Sequence, residues 1–206
     1  MAGARDRATL AGRTALAIFA HPDDESLACG GTLARLSDAG VRVVLLCASR
    51  GERGRTADPS LVPHGNLGEV RSQELRDAAA ILGLSDLIIL NHPDGDLRWD
   101  HVKELHDDIV SAIGTHKPEV VITFDEDGLY WHLDHIGVYE RTSTAVSSLG
   151  ADRPALYHVT MPRGLGAPHC MRNVRETRGS FSRSSKRSVP ASLPNPRVST
   201  LTASFR

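Results

Sequence analysis

The chain has 206 residues, of which 40% are hydrophobic and 24% are charged, and its formal net charge is −1. These values are typical of one globular domain with a sizeable core, and the balanced charge gives no reason to expect a nucleic acid partner. The three cysteines are widely spaced, which excludes a disulfide framework or a zinc finger. Residues 1–13 lack the apolar segment of a secretory signal, so we expect a cytoplasmic protein without a membrane span.

Apolar runs and amphipathic segments alternate between residues 14 and 162. Short apolar runs predict strands, and apolar residues at helical spacing predict helices. We predict strands at residues 14–20, 41–49, 87–90, 119–124 and 155–161. We predict helices at residues 27–40, 69–83, 100–116 and 135–150. This alternation favours a single-domain, Rossmann-like α/β fold over residues 14–162, in which helices cover both faces of a mainly parallel sheet.

Both ends of the chain differ from this domain. Residues 1–13 are predicted to be an N-terminal extension. Residues 163–206 hold nine of the 24 Lys and Arg but one of the 25 Asp and Glu, so they carry a charge of +8 and leave −9 on the rest. They are rich in Ser, Arg and Pro without an apolar period, which predicts disorder. The alternative is a basic tail that contacts anionic partners.

Polar clusters follow four of the predicted strands. Their sequences are HPDDE at 21–25, RGERG at 50–54, NHPDGD at 91–96 and DEDGLYWHLDH at 125–135. In a parallel α/β sheet the carboxyl ends of the strands meet at one edge, where ligands bind. The sequence therefore predicts a binding site formed by these four loops. The basic loop at 49–55 is either solvated or a contact for an anionic substrate group.

The first cluster suggests a metal ion. Asp23, Asp24 and Glu25 are consecutive carboxylates that repel one another and are costly to bury unless a cation lies nearby. His21 and Asp24 are three residues apart, a spacing that can direct both side chains at one ion. A catalytic zinc site needs about three protein ligands and one open position, and the HLDH sequence offers two further histidines, at 132 and 135. Glu25 is expected to stabilise the start of the following helix.

Together, AHPDDE and the downstream HLDH resemble the LmbE-like, or PIG-L, family of metal-dependent de-N-acetylases. The resemblance extends over about residues 14–161 and includes the helical sequence RSQELRDAAAILG at 71–83. It implies hydrolysis of the N-acetyl group of an N-acetylglucosamine-type conjugate. It also implies that His21, Asp24 and His135 bind Zn²⁺, although this ligand set suits Fe²⁺ and other divalent ions as well.

The same resemblance implies roles for other side chains. Asp23 matches the family's general base. His132, protonated and with its ring oriented by Asp134, would stabilise the oxyanion, as would Tyr130. Three further residues match positions that hold the sugar, namely Arg71, Asp94 and Glu52. The expected partner is thus a small N-acetylated amino sugar, while any oligomer is not readable from the sequence.

Two other interpretations stay open. The sequence CGG at 29–31 could be a phosphate-binding turn in a sugar- or nucleotide-binding module without metal chemistry, although neither a dinucleotide-binding nor a P-loop motif accompanies it. Alternatively, the chain is an inactive family member. Family members usually continue with ordered structure beyond the fifth strand, and residues 163–206 do not show that pattern.

Overall fold

The structure, a computed structural model, describes residues 10–56, 60, 62, 66–160 and 199–202, the last four through their backbone alone. Most of the N-terminal extension and most of the tail predicted at 163–206 lie outside the described residues. The domain bounds and the disorder of the tail therefore stay predictions.

Five predicted strands form one sheet. They are β1 (Thr14–Phe19), β2 (Arg42–Cys47), β3 (Asp86–Ile89), β4 (Val120–Phe124) and β5 (Ala155–Thr160). The residues of β1, β2 and β4 are nearly all buried, as expected of continuous apolar runs in a parallel sheet covered on both faces. A sixth strand that the sequence did not predict, β6 (Ser199–Thr202), pairs with β5.

The helices also follow the prediction. They are α1 (Asp24–Asp38), α2 (Leu67–Ile81), α3 (Val102–His116), the single turn α4 (Gly128–Trp131) and α5 (Leu133–Ser148). The turn α4 was not predicted, and α1 begins three residues earlier than the sequence pattern indicated. The sequence at 29–31 consequently lies inside α1, where Cys29 and Gly30 are buried just beyond two acidic residues. That position is unsuited to phosphate, and it argues against the phosphate-binding interpretation.

The sheet has the strand order β3-β2-β1-β4-β5-β6, and every neighbouring pair is parallel. The chain moves outward in one direction from β1 to β3 and then returns to β4 on the other side of β1. This is the Rossmann-like order, with helices on both faces, and the crevice at such a reversal is where α/β proteins bind ligands. The loops after β1 and β4 meet at this point.

The core lies around β1 and its neighbours. Leu16, Ile18 and Phe19 of β1 are fully buried, and the Phe19 ring contacts the Phe124 ring edge to face with centroids 5.0 Å apart. Phe19 and Phe124 end their strands, so this packing fixes the two loops that follow. None of the helices in the described part of the chain has the length and apolar character that crossing a membrane requires.

Candidate functional site

A pocket of about 500 Å³ opens at the carboxyl ends of the central strands. Its walls come from all four predicted polar loops and from α2. The lining residues are His21, Asp23, Asp24, Arg53, Gly54, Arg55, Arg71, Asp94, Gly95, Tyr130 and His132. The sequence therefore predicted correctly that these loops converge.

The loop after β1 turns sharply into α1. The backbone N–H of His21 donates to Asp24 Oδ2 over 2.8 Å, which fixes the Asp24 carboxylate beneath the turn. Asp23 has a φ of 113°, a strained backbone conformation for a residue other than glycine. The Glu25 carboxylate is buried and accepts hydrogen bonds from the Ser26 hydroxyl and the Asp23 N–H. Glu25 thus holds the turn, in keeping with its predicted structural role.

The loop after β4 brings the second motif to the same place. Leu129 and Trp131 of α4 both have a φ of 67°, so this turn too is strained. His132 caps α5, and His135 lies in the first turn of that helix. The His135 ring is fully buried and stacks on the Phe124 ring with centroids 4.0 Å apart. The end of β4 thereby sets the position of His135.

Asp24 lies between two imidazoles. Its Oδ1 is 3.1 Å from His135 Nε2, and its Oδ2 is 3.5 Å from His21 Nδ1. Ring nitrogens of His21, His132 and His135 also lie within 4.8 Å of one another. The structure thus brings together the three residues expected to bind metal, with His132 beside them.

The far nitrogens of the two imidazoles have acceptors of their own. His21 Nε2 lies 2.9 Å from Asp134 Oδ2 and 3.1 Å from Asp94 Oδ1. His135 Nδ1 lies 3.1 Å from the Gly128 carbonyl, to which it can donate. Metal-binding histidines typically donate the far N–H to a carboxylate or a backbone carbonyl, which leaves the near nitrogen unprotonated for the ion.

This arrangement fits a divalent metal. His135 Nε2 is buried and makes no hydrogen bond among the described residues, although Asp24 Oδ1 is only 3.1 Å away. A buried nitrogen without a hydrogen bond, facing a carboxylate, is explained by an ion bound between them. Two nitrogens and one carboxylate form a donor set that suits Zn²⁺ and Fe²⁺.

Electrostatics also favour a positive charge here. Burial lowers the pKa of His21, but hydrogen bonds to Asp134, Asp24 and Asp94 outweigh it and raise that pKa to about 11. Burial alone would raise the pKa of Asp24, whereas the adjacent His135 and His21 hold it well below its usual range. The carboxylates around His21 are therefore ionised and attract a cation.

The expected pairing of Asp134 with the His132 ring is wrong in this structure. The Asp134 carboxylate accepts from the backbone N–H of Gly95 over 2.7 Å and of Leu97 over 3.1 Å, and it faces His21. His132 Nδ1 instead accepts the Asp134 backbone N–H over 3.3 Å. Side chains two positions apart at a helix start point in different directions, so closeness in sequence was misleading.

We expected His132 to be protonated, but its surroundings favour the neutral ring. Burial lowers its pKa, and so do the neighbouring His135 and His21. Because Nδ1 accepts a backbone N–H, the proton of the neutral ring lies on Nε2. His132 can therefore donate a hydrogen bond from Nε2 into the pocket that it lines. Tyr130, the other expected oxyanion group, also lines the pocket, with its ring centroid 5.9 Å from that of His132.

Arg71 holds the exposed carboxylate of Asp23. Its Nη2 donates to Asp23 Oδ2 over 2.9 Å, and its Nη1 donates to the Gly51 carbonyl over 3.0 Å. The Asp23 side chain is 70% exposed and lines the pocket, in contrast to the buried Asp24. Partial burial nevertheless raises the pKa of Asp23, against the opposing effect of Arg71. Asp23 is thus a carboxylate that can take up a proton, next to the residues expected to bind metal.

The residues expected to hold the sugar separate into two groups. Arg71 and Asp94 line the pocket, whereas Glu52 is outside the lining and accepts the Asp94 N–H over 2.9 Å. Asp94 in turn accepts the Arg53 N–H over 2.8 Å, and its contact with His21 lowers its pKa. Glu52 therefore joins two loops. No residue pattern indicated the roles of the Gly128 carbonyl or of the Gly95 and Leu97 amides, because such backbone roles depend on loop conformation.

The fold and the pocket define an α/β protein with a His/Asp site of the kind that binds a catalytic metal. Residues 16–146 match the model of a family described as PIG-L, GlcNAc-PI de-N-acetylase. The chain therefore belongs to the PIG-L family.

Individual relatives carry related names. The chain is 34% identical to a probable N-acetyl-alpha-D-glucosaminyl L-malate deacetylase 2 of Bacillus cereus, over 80% of this chain and 77% of that protein. It is 35% identical to a 1D-myo-inositol 2-acetamido-2-deoxy-alpha-D-glucopyranoside deacetylase of Kineococcus radiotolerans, over 68% and 46%. Among solved structures, an N,N'-diacetylchitobiose deacetylase of Pyrococcus horikoshii matches with a TM-score of 0.57 and 31% identity, over 66% of this chain and 49% of that one. The chain thus spans about half the length of two of these three relatives.

Proposed function

We propose that the protein is a metal-dependent hydrolase that removes the N-acetyl group from an N-acetylglucosamine-type conjugate. The observation that carries this proposal is the pair of imidazoles on either side of Asp24, each with its far nitrogen next to a separate acceptor. Membership of the PIG-L family and the names of the relatives support the substrate class.

His21, Asp24 and His135 would hold the ion, Zn²⁺ in the first instance. A divalent metal in such a site polarises an amide carbonyl and lowers the pKa of bound water. Water then attacks the acetyl carbon, and Asp23 accepts the proton that the water loses. Asp23 suits this step because Arg71 fixes it at the pocket wall without burying it.

The attack produces a tetrahedral intermediate with a negative oxygen. His132 donates a hydrogen bond from Nε2 to that oxygen, and Tyr130 lines the same wall of the pocket. The C–N bond then breaks, and Asp23 returns its proton to the departing amine. The immediate products are acetic acid and the free amine of the sugar, and the acid then gives up its proton to the amine, which yields acetate and an ammonium group.

Arg71 and Asp94 would contact the sugar itself. Both line the pocket beside the metal-binding residues, and their charges can bind the hydroxyl groups of a pyranose ring. Glu52 contributes indirectly, because it holds the Asp94 loop in place.

Release of a free amine tests the proposal directly. The full-length protein, loaded with Zn²⁺ or Fe²⁺, is incubated with the N-acetylglucosaminyl conjugates of malate and of inositol, and primary amine is measured over time. We expect turnover of at least one conjugate and loss of turnover after chelation. Absence of amine from both conjugates with either metal would contradict the proposal and favour an inactive family member.

A further inference from the structure

The loop after β2 places two arginines at the pocket that the proposed chemistry does not use. Arg53 and Arg55 line the pocket together with Gly54 between them. The sequence left open whether this basic loop is simply solvated. Its contacts in the structure indicate that it is held against the site.

Several hydrogen bonds fix the loop in place. The Arg53 N–H donates to Asp94 Oδ2 over 2.8 Å, and Glu52 Oε1 accepts the Asp94 N–H over 2.9 Å. The loop also turns tightly, because the Gly54 N–H donates to the Gly51 carbonyl over 3.1 Å. These bonds link the loop to Asp94, which lines the pocket.

The two glycines of the loop pack directly on Arg71. A Cβ atom at position 51 would lie 2.1 Å from Arg71 Nη1, and one at position 54 would lie 2.7 Å from the same atom. The loop therefore follows the Arg71 guanidinium so closely that neither position has room for a side chain. A solvated loop has no need for such contacts, so we attribute them to the placement of Arg53 and Arg55.

The charges differ between the floor of the pocket, formed by His21, Asp24 and His135, and its rim, formed by Arg53 and Arg55. The acidic residues of the lining are all engaged, Asp23 by Arg71 and both Asp24 and Asp94 by histidines. Arg53 pairs with Asp96 in a contact where both side chains are about half exposed, which a ligand can replace at little cost. Arg55 is exposed. The rim thus offers positive charge above acidic residues that are already paired.

We propose that the group attached to the amino sugar carries a carboxylate, which Arg55 and Arg53 bind at the rim of the pocket. The planar guanidinium group donates two parallel hydrogen bonds to a carboxylate, a geometry that a neutral polyol does not offer. This inference rests on the proposed function and adds the chemical class of the substrate to it.

The test compares a charged with a neutral conjugate. Steady-state kinetics are measured with N-acetylglucosaminyl malate and N-acetylglucosaminyl inositol on the wild type and on Arg55→Gln and Arg53→Gln variants of the full chain. We expect Arg55→Gln to raise KM for the malate conjugate about 10-fold, as for the loss of one charge-assisted hydrogen bond, and to leave KM for the inositol conjugate unchanged. The Arg53→Gln variant should show the same selectivity with a smaller change.

The matched control is Arg76→Gln, which removes the same charge from the exposed surface of α2, away from the pocket lining. We expect it to leave both KM values unchanged. Equal changes of KM for the two conjugates in Arg55→Gln, or no change for either, would overturn the inference while leaving the proposed deacetylase intact. If the wild type releases amine from neither conjugate, the result contradicts the proposed function and, with it, the inference about the substrate class.

Discussion

The floor and the rim of the pocket are built in opposite ways. The floor follows β1 and β4, and its His21, Asp24 and His135 are each less than 10% exposed. The rim follows β2, and its Arg53 and Arg55 are exposed on a loop of glycines and charged residues. A buried set of ligands is rigid because each side chain has packed neighbours, whereas an exposed loop can change its side chains without disturbing the core. This difference fits the proposed reaction at the floor and the proposed choice of conjugate at the rim.

The largest expected effect comes from Asp23, which adjoins the floor but does not share its burial. We expect Asp23→Asn to lower kcat by roughly 10²- to 10⁴-fold, the usual contribution of a general base, because the amide cannot accept the proton of water. Metal content should stay at the wild-type value, as measured by elemental analysis beside the kinetics. The control is Asp38→Asn at the exposed end of α1. Wild-type turnover in Asp23→Asn would remove Asp23 from the mechanism.

The second-largest expected effect comes from Asp134, whose carboxylate contacts the His21 ring nitrogen that points away from Asp24. We expect Asp134→Asn to weaken metal binding by about 10- to 100-fold, as is typical when the acceptor behind a metal-bound histidine is altered. Competition with a chelator measures the affinity, and excess metal should restore much of the turnover. The Asp38→Asn variant again serves as the control, and thermal melting of the metal-free proteins checks the fold. If excess metal restores none of the lost turnover, Asp134 acts on something other than the metal ligand.

Gly51→Ala alters the loop after β2 without changing His21, Asp24 or His135. Gly51 has a φ of 64°, and a Cβ there would collide with Arg71 Nη1, so Gly51→Ala must displace the guanidinium. We expect KM to rise about 10-fold, because Arg71 loses its place beside the sugar, and kcat to fall as well, because Arg71 no longer holds Asp23, while metal content is unchanged. Gly31→Ala is the matched control, since nothing lies within 4 Å of a Cβ at that position. Loss of metal in Gly51→Ala would show that the loop after β2 also determines metal binding.

Much of the fold and of the floor was predictable from the sequence. Apolar runs such as TALAIF predicted the buried strands, and the repetition of His and Asp after β1 and β4 predicted the side chains that meet in the pocket. The sequence did not reveal α4, because the positive φ of Leu129 and Trp131 is imposed by surrounding structure and has no residue signature such as glycine. The sequence also suggested His132 as the partner of Asp134, whereas the structure shows His21, because side-chain direction depends on the backbone at the helix start. The short strand β6 carries no apolar pattern, because backbone pairing with β5 is enough to define an edge strand.

The proposed chemistry requires that His21, Asp24 and His135 hold one metal ion. The most direct test is the metal content of the purified full-length chain after reloading with Zn²⁺, measured by elemental analysis beside Asp24→Ala. We expect about one ion per wild-type chain and almost none in the variant, because Asp24 lies between the two imidazoles. A wild-type chain that retains no metal after reloading, or an Asp24→Ala chain that retains as much as the wild type, would contradict this expectation.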